Sequence, residues 1–225
     1  MDLYYFPVSP YSHKVRMALD FKNIGAQIQR VMPFDPEQRA AYRDIYPLGK
    51  LPLLKHDDLL VSESSIIIEY LDDIGGEDKR LIPVLPGDAR DVRFKDRLAD
   101  NYLSAAAIAI FFQSMRPESK RDVNRMDRSR HEIISAYKMV EEMLAHGAKG
   151  GNTLMFFHGE HTTMADFSLL AGLRLSQTVI GLQDFPLLSA YYSQHSAEPL
   201  FKALAAEADS AMEEFVAALS NAMAA

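Results

Sequence analysis

The stretch Ser-Pro-Tyr-Ser at residues 9–12 sets a hydroxyl where a helix begins. Ser9 suits the N-cap, and Pro10 fits the first helical position, where a missing N–H costs nothing. The first turn of a helix carries unpaired N–H groups and the positive end of the helix dipole, a combination that stabilises an anion. Beside a thiol, such a terminus lowers the pKa from an ordinary value of about 8.5 and raises the thiolate fraction. Ser9 can donate its proton to a sulfur while an oxygen lone pair still caps the helix. The same residues also read as a plain cap, with Ser12 a first-turn helix residue. The spacing is that of a redox Cys-x-x-Cys loop with serine at both sulfur positions, and the chain holds no cysteine. Sulfur chemistry at this loop needs a sulfur that arrives with a ligand.

Two further stretches can bind polar ligands. Pro52, in Gly-Lys-Leu-Pro, stands just before a strand-like run. A cis Leu51–Pro52 bond would turn the N–H and C=O of Leu51 toward a peptide-like ligand, although the bond by itself favours trans. Ser-Glu-Ser-Ser at 62–65 opens another helix, a second terminus able to receive a carboxylate. There Glu63 can pair with an ammonium and Ser64 can donate to a carboxylate oxygen. Capping by Ser62, with Glu63 or Ser65 in the first turn, accounts for the same residues.

The elements that must hold these residues can be read from periodicity. Leu3–Phe6 is a strand, a second lies near 26–32, and Leu53–Lys55 with Leu59–Val61 reads as a hairpin about an Asp-Asp turn. Helices are expected from Ser9, over 36–47 and over Ser62–Asp73. Val15, Ala18 and Leu19 give the first its apolar face; Ile66, Ile67, Tyr70, Leu71 and Ile74 form the stripe of the third. The order β-α-β-α-β-β-α is thioredoxin-like, with crossovers giving parallel strands and the final hairpin an antiparallel edge. A Gly-, Pro- and charge-rich segment at 77–87 reads as a linker between domains at 1–76 and 88–225. Beyond it strand signals vanish. Helices are expected at 88–115, 121–146, 163–179, 186–196 and 198–220, punctuated by Pro117, Gly147–Gly151, Gly181 and Pro186.

Composition excludes several tasks. The 225 residues carry a net charge of −7 and no basic stripe, which argues against a nucleic-acid partner. The short run Arg-Ser-Arg-His-Glu at 128–132 reads as a solvated helix face. No apolar run is long enough to span a membrane, and no secretory leader opens the sequence. The absence of cysteine suits a reducing cytoplasm, and no metal site is expected.

Taken in order, Tyr-Phe-Pro-Val-Ser-Pro-Tyr-Ser, Pro-Leu-Gly-Lys-Leu-Pro and Val-Ser-Glu-Ser-Ser, with eleven residues between Pro52 and Ser64, resemble the cytosolic glutathione transferase family. Thr-Met-Ala-Asp-Phe at 163–167 adds a match to the family's buried capping box, with Thr163 and Asp166 in its two places. The resemblance covers essentially the whole chain. It implies a thioredoxin-like domain followed by an all-α helical bundle. Glutathione is the implied co-substrate, and a two-fold homodimer the implied assembly. By position, Leu51 before a cis Pro52 pairs with the cysteinyl part, Glu63 and Ser64 hold the γ-glutamyl end, and Lys50 is their polar neighbour. Ser9 stands where serine-type members keep the thiol partner and Tyr5 where tyrosine-type members keep theirs; backbone N–H groups alone are a third possibility.

Without cysteine the chain cannot form the protein–glutathione mixed disulfide of cysteine-type members. The implied chemistry is attack of the glutathione thiolate on a small hydrophobic electrophile, in a pocket that Tyr102, Phe112 and Met115 could line between the domains. Aromatic residues and methionines at helical spacing are more often core, and core packing is the plainer reading of those three side chains. Two alternatives remain at this point. One is a glutathione-dependent cis–trans isomerase, whose relatives carry Ser-Ser-Cys-Ser where this chain has Ser-Pro-Tyr-Ser. The other is a non-enzymatic interaction protein on the same scaffold.

Overall fold

The structure is a computed structural model that describes residues 1–149 and 156–224, without the side chains of 148, 149 and 218–224. Gly150 and Gly151 of the expected glycine break lie outside the described residues. The chain divides into two compact units: Met1–Lys79 with Glu198–Ala225, and Arg80–Ala197. The expected division placed everything after residue 88 in one helical body. Here the last helix packs instead with the sheet-bearing unit.

In that first unit, β1 (Asp2–Tyr5), β2 (Gln27–Arg30), β3 (Leu53–His56) and β4 (Leu59–Ser62) form one sheet in the order β2-β1-β3-β4. β1 runs parallel to β2, pairing Leu3 with Ile28. It runs antiparallel to β3, pairing Leu3 with Leu54, so only the first crossover yields a parallel pair. The β3–β4 hairpin turns at Asp57, whose φ of +53° is the left-handed conformation that Asp tolerates.

Helices α1 (Pro10–Phe21) and α3 (Ser64–Ile74) pack together on the sheet, and α2 (Pro36–Ile45) crosses between β2 and β3. Leu3, Leu54, Val15, Ala18, Ile67, Ile68 and Leu71 are fully buried. The expected stripe of α3 needs correction. Ile66 and Ile74 are exposed and Tyr70 is half-buried, while Ile68 and Asp72 join the core. The true stripe follows the spacing 64-67-68-71, and Ile66 falls outside that face. A second cluster joins Val31, Tyr42 and Leu53, with Tyr4, Tyr46 and Leu51 packed against it. Lys22 and Asp72 form a buried ion pair at 2.8 Å, and the Lys22 ammonium also donates to the Lys79 carbonyl at 2.8 Å.

The second unit is helical: α4 (Pro86–Leu98), α5 (Ala105–Ser114), α6 (Val123–Lys149), α7 (Met164–Ser176) and α8 (Pro186–Ser196). The single helix expected over 88–115 is interrupted by a π-helical stretch, Ala99–Ser104. This wider turn meets α7 at Gly172, where an added Cβ would lie 3.1 Å from the Leu103 side chain. The segment read as a linker is partly core, for Leu81 and Ile82 are buried.

α7 is the central helix, and its start depends on one carboxylate. Asp166, buried, accepts from the Thr163 N–H at 2.8 Å, the Thr163 hydroxyl at 3.0 Å, the Phe157 N–H at 2.6 Å and the Tyr191 hydroxyl at 2.7 Å. The capping box read from the sequence thus also ties α8 and the 156–158 segment to α7. Burial, with the facing Asp166 charge, holds the Tyr191 phenol well above its ordinary range. On α4, burial would raise the Asp91 carboxyl, but the Lys95 ammonium at 2.9 Å and His158 at 2.8 Å outweigh it and hold the group below 3.8.

Replacing Asp166 with Ala strands four donors and should cost about 3 kcal/mol or more of stability, measured by chemical denaturation. The Asp91 carboxyl has a depressed pKa, so its contribution is present above the unfolded value and lost as pH falls through the folded one. The melting temperature should therefore drop on acidification from about pH 5 to about pH 3, and Asp91→Asn should flatten that part of the profile.

Candidate functional site

β1 ends in a loop that is held from several sides. The Ser9 N–H donates to the Phe6 carbonyl at 3.0 Å, and the Phe6 N–H donates to Ser12 Oγ at 3.3 Å. The buried His13 ring donates from Nε2 to the Pro7 carbonyl at 2.5 Å. Ser9 itself has extended backbone, and its Oγ caps α1 by accepting from the Ser12 N–H at 3.4 Å. That bond is long for a hydrogen bond and leaves the Ser9 hydroxyl proton for another acceptor. Ser12 is fully buried beneath the loop.

Tyr5 is differently placed. It is fully buried, stacks on the His13 ring at 6.4 Å, and lies under the Arg16 guanidinium at 5.1 Å. Its hydroxyl donates to Glu207 Oε2 at 3.2 Å. The register that made Tyr5 a thiol-partner candidate puts its ring inside the protein, and the hydroxyl serves the packing of the last helix.

The Leu51–Pro52 peptide bond is cis. The bond's own preference is the reverse, and the surroundings explain the outcome: Pro52 is buried and Leu51 packs on the Tyr42 cluster. The buried Tyr42 hydroxyl donates to the Lys50 carbonyl at 2.6 Å, fixing the residue before Leu51. Burial raises the Tyr42 pKa far above 10, so the phenol stays a donor. Gly49, at φ +62°, closes the turn from Tyr46, and Arg43 Nε lies 3.0 Å from where a Cβ would stand. Lys50 is exposed, and Leu51 lies just outside the strand ladder that starts at Leu53.

Glu63 adopts φ +67° and ψ +118°, and its exposed side chain makes no capping bond. For a glutamate this backbone is a strained conformation worth about 1–3 kcal/mol, a feature that concentrates at ligand clamps. Ser64 follows at the first position of α3, 6% exposed, among the helix's unpaired N–H groups.

Sequence reasoning missed Lys14. It is completely buried, and its ammonium donates to Ser65 Oγ at 2.9 Å. It thereby couples α1 to the first turn of α3 and adds positive charge beneath that turn. A lysine in an amphipathic helix ordinarily reads as solvent face, so only its partner across 51 residues of sequence reveals it. The first unit therefore holds two helix N-termini, bearing Ser9 and Ser64, and the cis-proline loop as parts of a single body. Tyr102, Phe112 and Met115 belong to the second unit and are 49%, 47% and 37% exposed, so none is core. Among the described residues no group of His, Asp or Glu could hold a metal ion, and no helix is long and apolar enough to cross a membrane.

The first unit is thus a thioredoxin-like sheet and helices completed by a late helix, and it carries both helix N-termini and the cis proline. Comparison with known proteins agrees. Residues 3–79 match the family described as glutathione S-transferase, N-terminal domain. Glutathione S-transferase 1 of Dianthus caryophyllus is 26% identical over 201 residues, 84% of each chain. A glutathione S-transferase structure from Methylobacillus flagellatus with glutathione bound is 26% identical, with a TM-score of 0.79 over 90% of this chain and 98% of that one. A bacterial zeta-class maleyl pyruvate isomerase shares the fold, with a TM-score of 0.77 at 21% identity over 92% and 98% of the two chains. Residues 3–79 thus match a glutathione S-transferase N-terminal domain, and most of the chain's length is similar to glutathione S-transferases.

Proposed function

We propose that the chain is a serine-type glutathione transferase. The observation that carries this reading is the coupling of the two helix N-termini through Lys14 and Ser65, with the cis Leu51–Pro52 bond in the same unit. Leu51 would meet the cysteinyl portion of glutathione with its backbone. Ser64 would donate to the γ-glutamyl carboxylate, Glu63 would accept from the γ-glutamyl ammonium, and Lys50 would flank them. The Ser9 hydroxyl and the N–H groups of the first turn of α1 would hold the sulfur as thiolate, its proton passing to solvent. The sulfur lone pair then forms a C–S bond to the electrophilic carbon; from an aryl halide, the halide departs with the electrons of its bond. Holding the ionised nucleophile beside the electrophile supplies the rate.

Ser9 is preferred over Tyr5 because the Tyr5 hydroxyl is buried on Glu207. The exposure of Tyr102, Phe112 and Met115 is compatible with an electrophile contact. A homodimer is part of the proposal, supported by apolar side chains exposed on the first unit: Leu59, Leu60, Ile66 and Ile74. The working compartment we infer is the cytoplasm, where glutathione is reduced and a cysteine-free chain has nothing to lose by it.

Titration with reduced glutathione in two buffers of different ionisation enthalpy should show saturable binding with proton release at neutral pH. Ser64→Ala should weaken that binding by about 1–3 kcal/mol. Ser9→Ala should slow conjugation while leaving affinity nearly intact. A larger rate loss in Tyr5→Phe than in Ser9→Ala would transfer the sulfur to Tyr5. Light scattering at micromolar protein should report twice the 25.3 kDa chain mass, and a monomer would remove the dimer from the proposal.

A further inference from the structure

Between α5 and α6 the chain makes a turn that nothing else in its unit covers. From Ser114 to Arg128 every residue except Met126 is exposed. The stretch is held by bonds of its own. Glu118–Lys120 forms a single 3₁₀ turn, and the Arg121 side chain folds back over it. Arg121 Nε donates to the Arg116 carbonyl at 3.1 Å, and Nη2 donates to the Ser114 carbonyl at 3.1 Å, closing the end of α5. The Asp122 N–H donates to Oε1 of the buried Gln113 at 2.9 Å.

No basic stripe shows in the sequence because acids are interleaved with the cations here. The structure commits two of those acids locally. Asp122 accepts from the Arg125 N–H at 2.9 Å at the start of α6, and Asp127 pairs with Arg130 at 2.9 Å. Glu118 alone is left facing solvent with Arg116, Lys120, Arg125 and Arg128, whose side chains make no ion pair among the described residues. Val123, the first residue of α6, stands 60% exposed among them. Phe112 and Met115, also exposed, lead into the turn.

Charge is distributed the other way elsewhere. The chain as a whole carries −7, and its last helix, α9 (Pro199–Ala224), sets Glu207, Asp209, Glu213 and Glu214 against Lys202. Glu207 lies 4.0 Å from Arg16 and Glu214 pairs with Arg30 at 2.8 Å. A cationic turn on an acidic chain is drawn to an anionic surface that the rest of the molecule avoids, which fixes the face presented. A stretch with no buried residue is a projection and not a groove, so it suits a flat partner. Soluble polyanions would satisfy the cations alone. The interface of an anionic bilayer also takes the valine, at the boundary of headgroups and acyl chains.

We propose that the α5–α6 turn is a peripheral docking surface for anionic lipid bilayers. Arg116, Lys120, Arg125 and Arg128 meet the lipid phosphates, and Val123 enters the acyl boundary. Such docking needs no spanning helix. It holds the protein where apolar small molecules concentrate, and it stands independently of the glutathione reading.

The test is co-sedimentation of the full chain with vesicles of equal parts phosphatidylglycerol and phosphatidylcholine, and with vesicles of phosphatidylcholine alone. At low salt the wild type should bind the anionic vesicles at least about tenfold more tightly, and high salt should release it. Neutralising Lys120, Arg125 and Arg128 together to Gln should weaken binding on the order of a hundredfold, about fivefold for each charge. Arg125→Gln alone, expected to weaken it about fivefold, serves if the triple variant does not fold. Val123→Ser should weaken it about threefold and leave the salt dependence unchanged. No preference for anionic vesicles, or full binding by the neutralised variants, overturns the proposal. Binding to soluble poly-glutamate as tight as to the vesicles, with Val123→Ser without effect, assigns the turn to an acidic protein partner and overturns the bilayer reading.

Discussion

A single ammonium, that of Lys14, is the fixed point of the sheet-bearing unit. A fully buried charge must have partners, and Lys14 donates to Ser65 at the start of α3. That requirement sets where α1 and α3 lie relative to each other. Each helix contributes its N-terminus to the candidate site, so their separation is part of the site's geometry. His13, on the same helix, ties the Pro7 carbonyl and stiffens the loop before Ser9. Tyr42 does the same for the Lys50 carbonyl before the cis bond. Each of the three polar groups that brace the site comes from a side chain buried in the unit.

Local chemistry made part of this legible in the sequence. Ser9 followed by Pro10 announces a capped helix, and Thr163 with Asp166 announces another. The spacing of Pro52 and Ser64 carried the family resemblance, and with it the fold class. What stayed hidden depends on distant partners. The cis state of Leu51–Pro52 runs against the bond's own preference and is set by the packing around it. Nothing in a glutamate foretells φ of +67° at Glu63. Ile66 and Ile74 looked like core because they are isoleucines near a helical stripe, yet the packed face is the one shared by Ile67, Ile68 and Leu71. The allegiance of α9 hung on Glu207 and Glu214, two acids in an Ala-rich helix whose cations lie about 180 residues or more earlier in the chain.

Tyr5 illustrates how position and role can part. It occupies a place that resembles a catalytic one, and its side chain is instead enclosed by His13, Arg16 and Glu207. Its phenol packs against the last helix, while the loop itself carries the hydroxyls of Ser9 and of the buried Ser12. A serine keeps its proton at any physiological pH, so in the proposed function it would act on a neighbouring sulfur as a donor and leave the anionic role to the ligand. In a chain without cysteine the proposed reading makes this separation complete: the protein would supply the field and the ligand the reactive atom.

The return of α9 to the first unit also has a consequence for how the chain is made. The sheet, α1, α2 and α3 are synthesised before the helical unit, but the helix that contacts Tyr5, Arg30 and Phe34 follows it. The first unit is discontinuous, and its native contacts close a loop of more than a hundred residues. Domains generally fold as they emerge, and contacts of such long sequence separation form late. Until α9 docks, the Tyr5 hydroxyl lacks Glu207 and the Phe34 ring lacks its stacking partner. The nascent chain therefore holds an early domain that stays incomplete until the second unit has been made, and the stacking of Phe34 on Phe215 forms only after that.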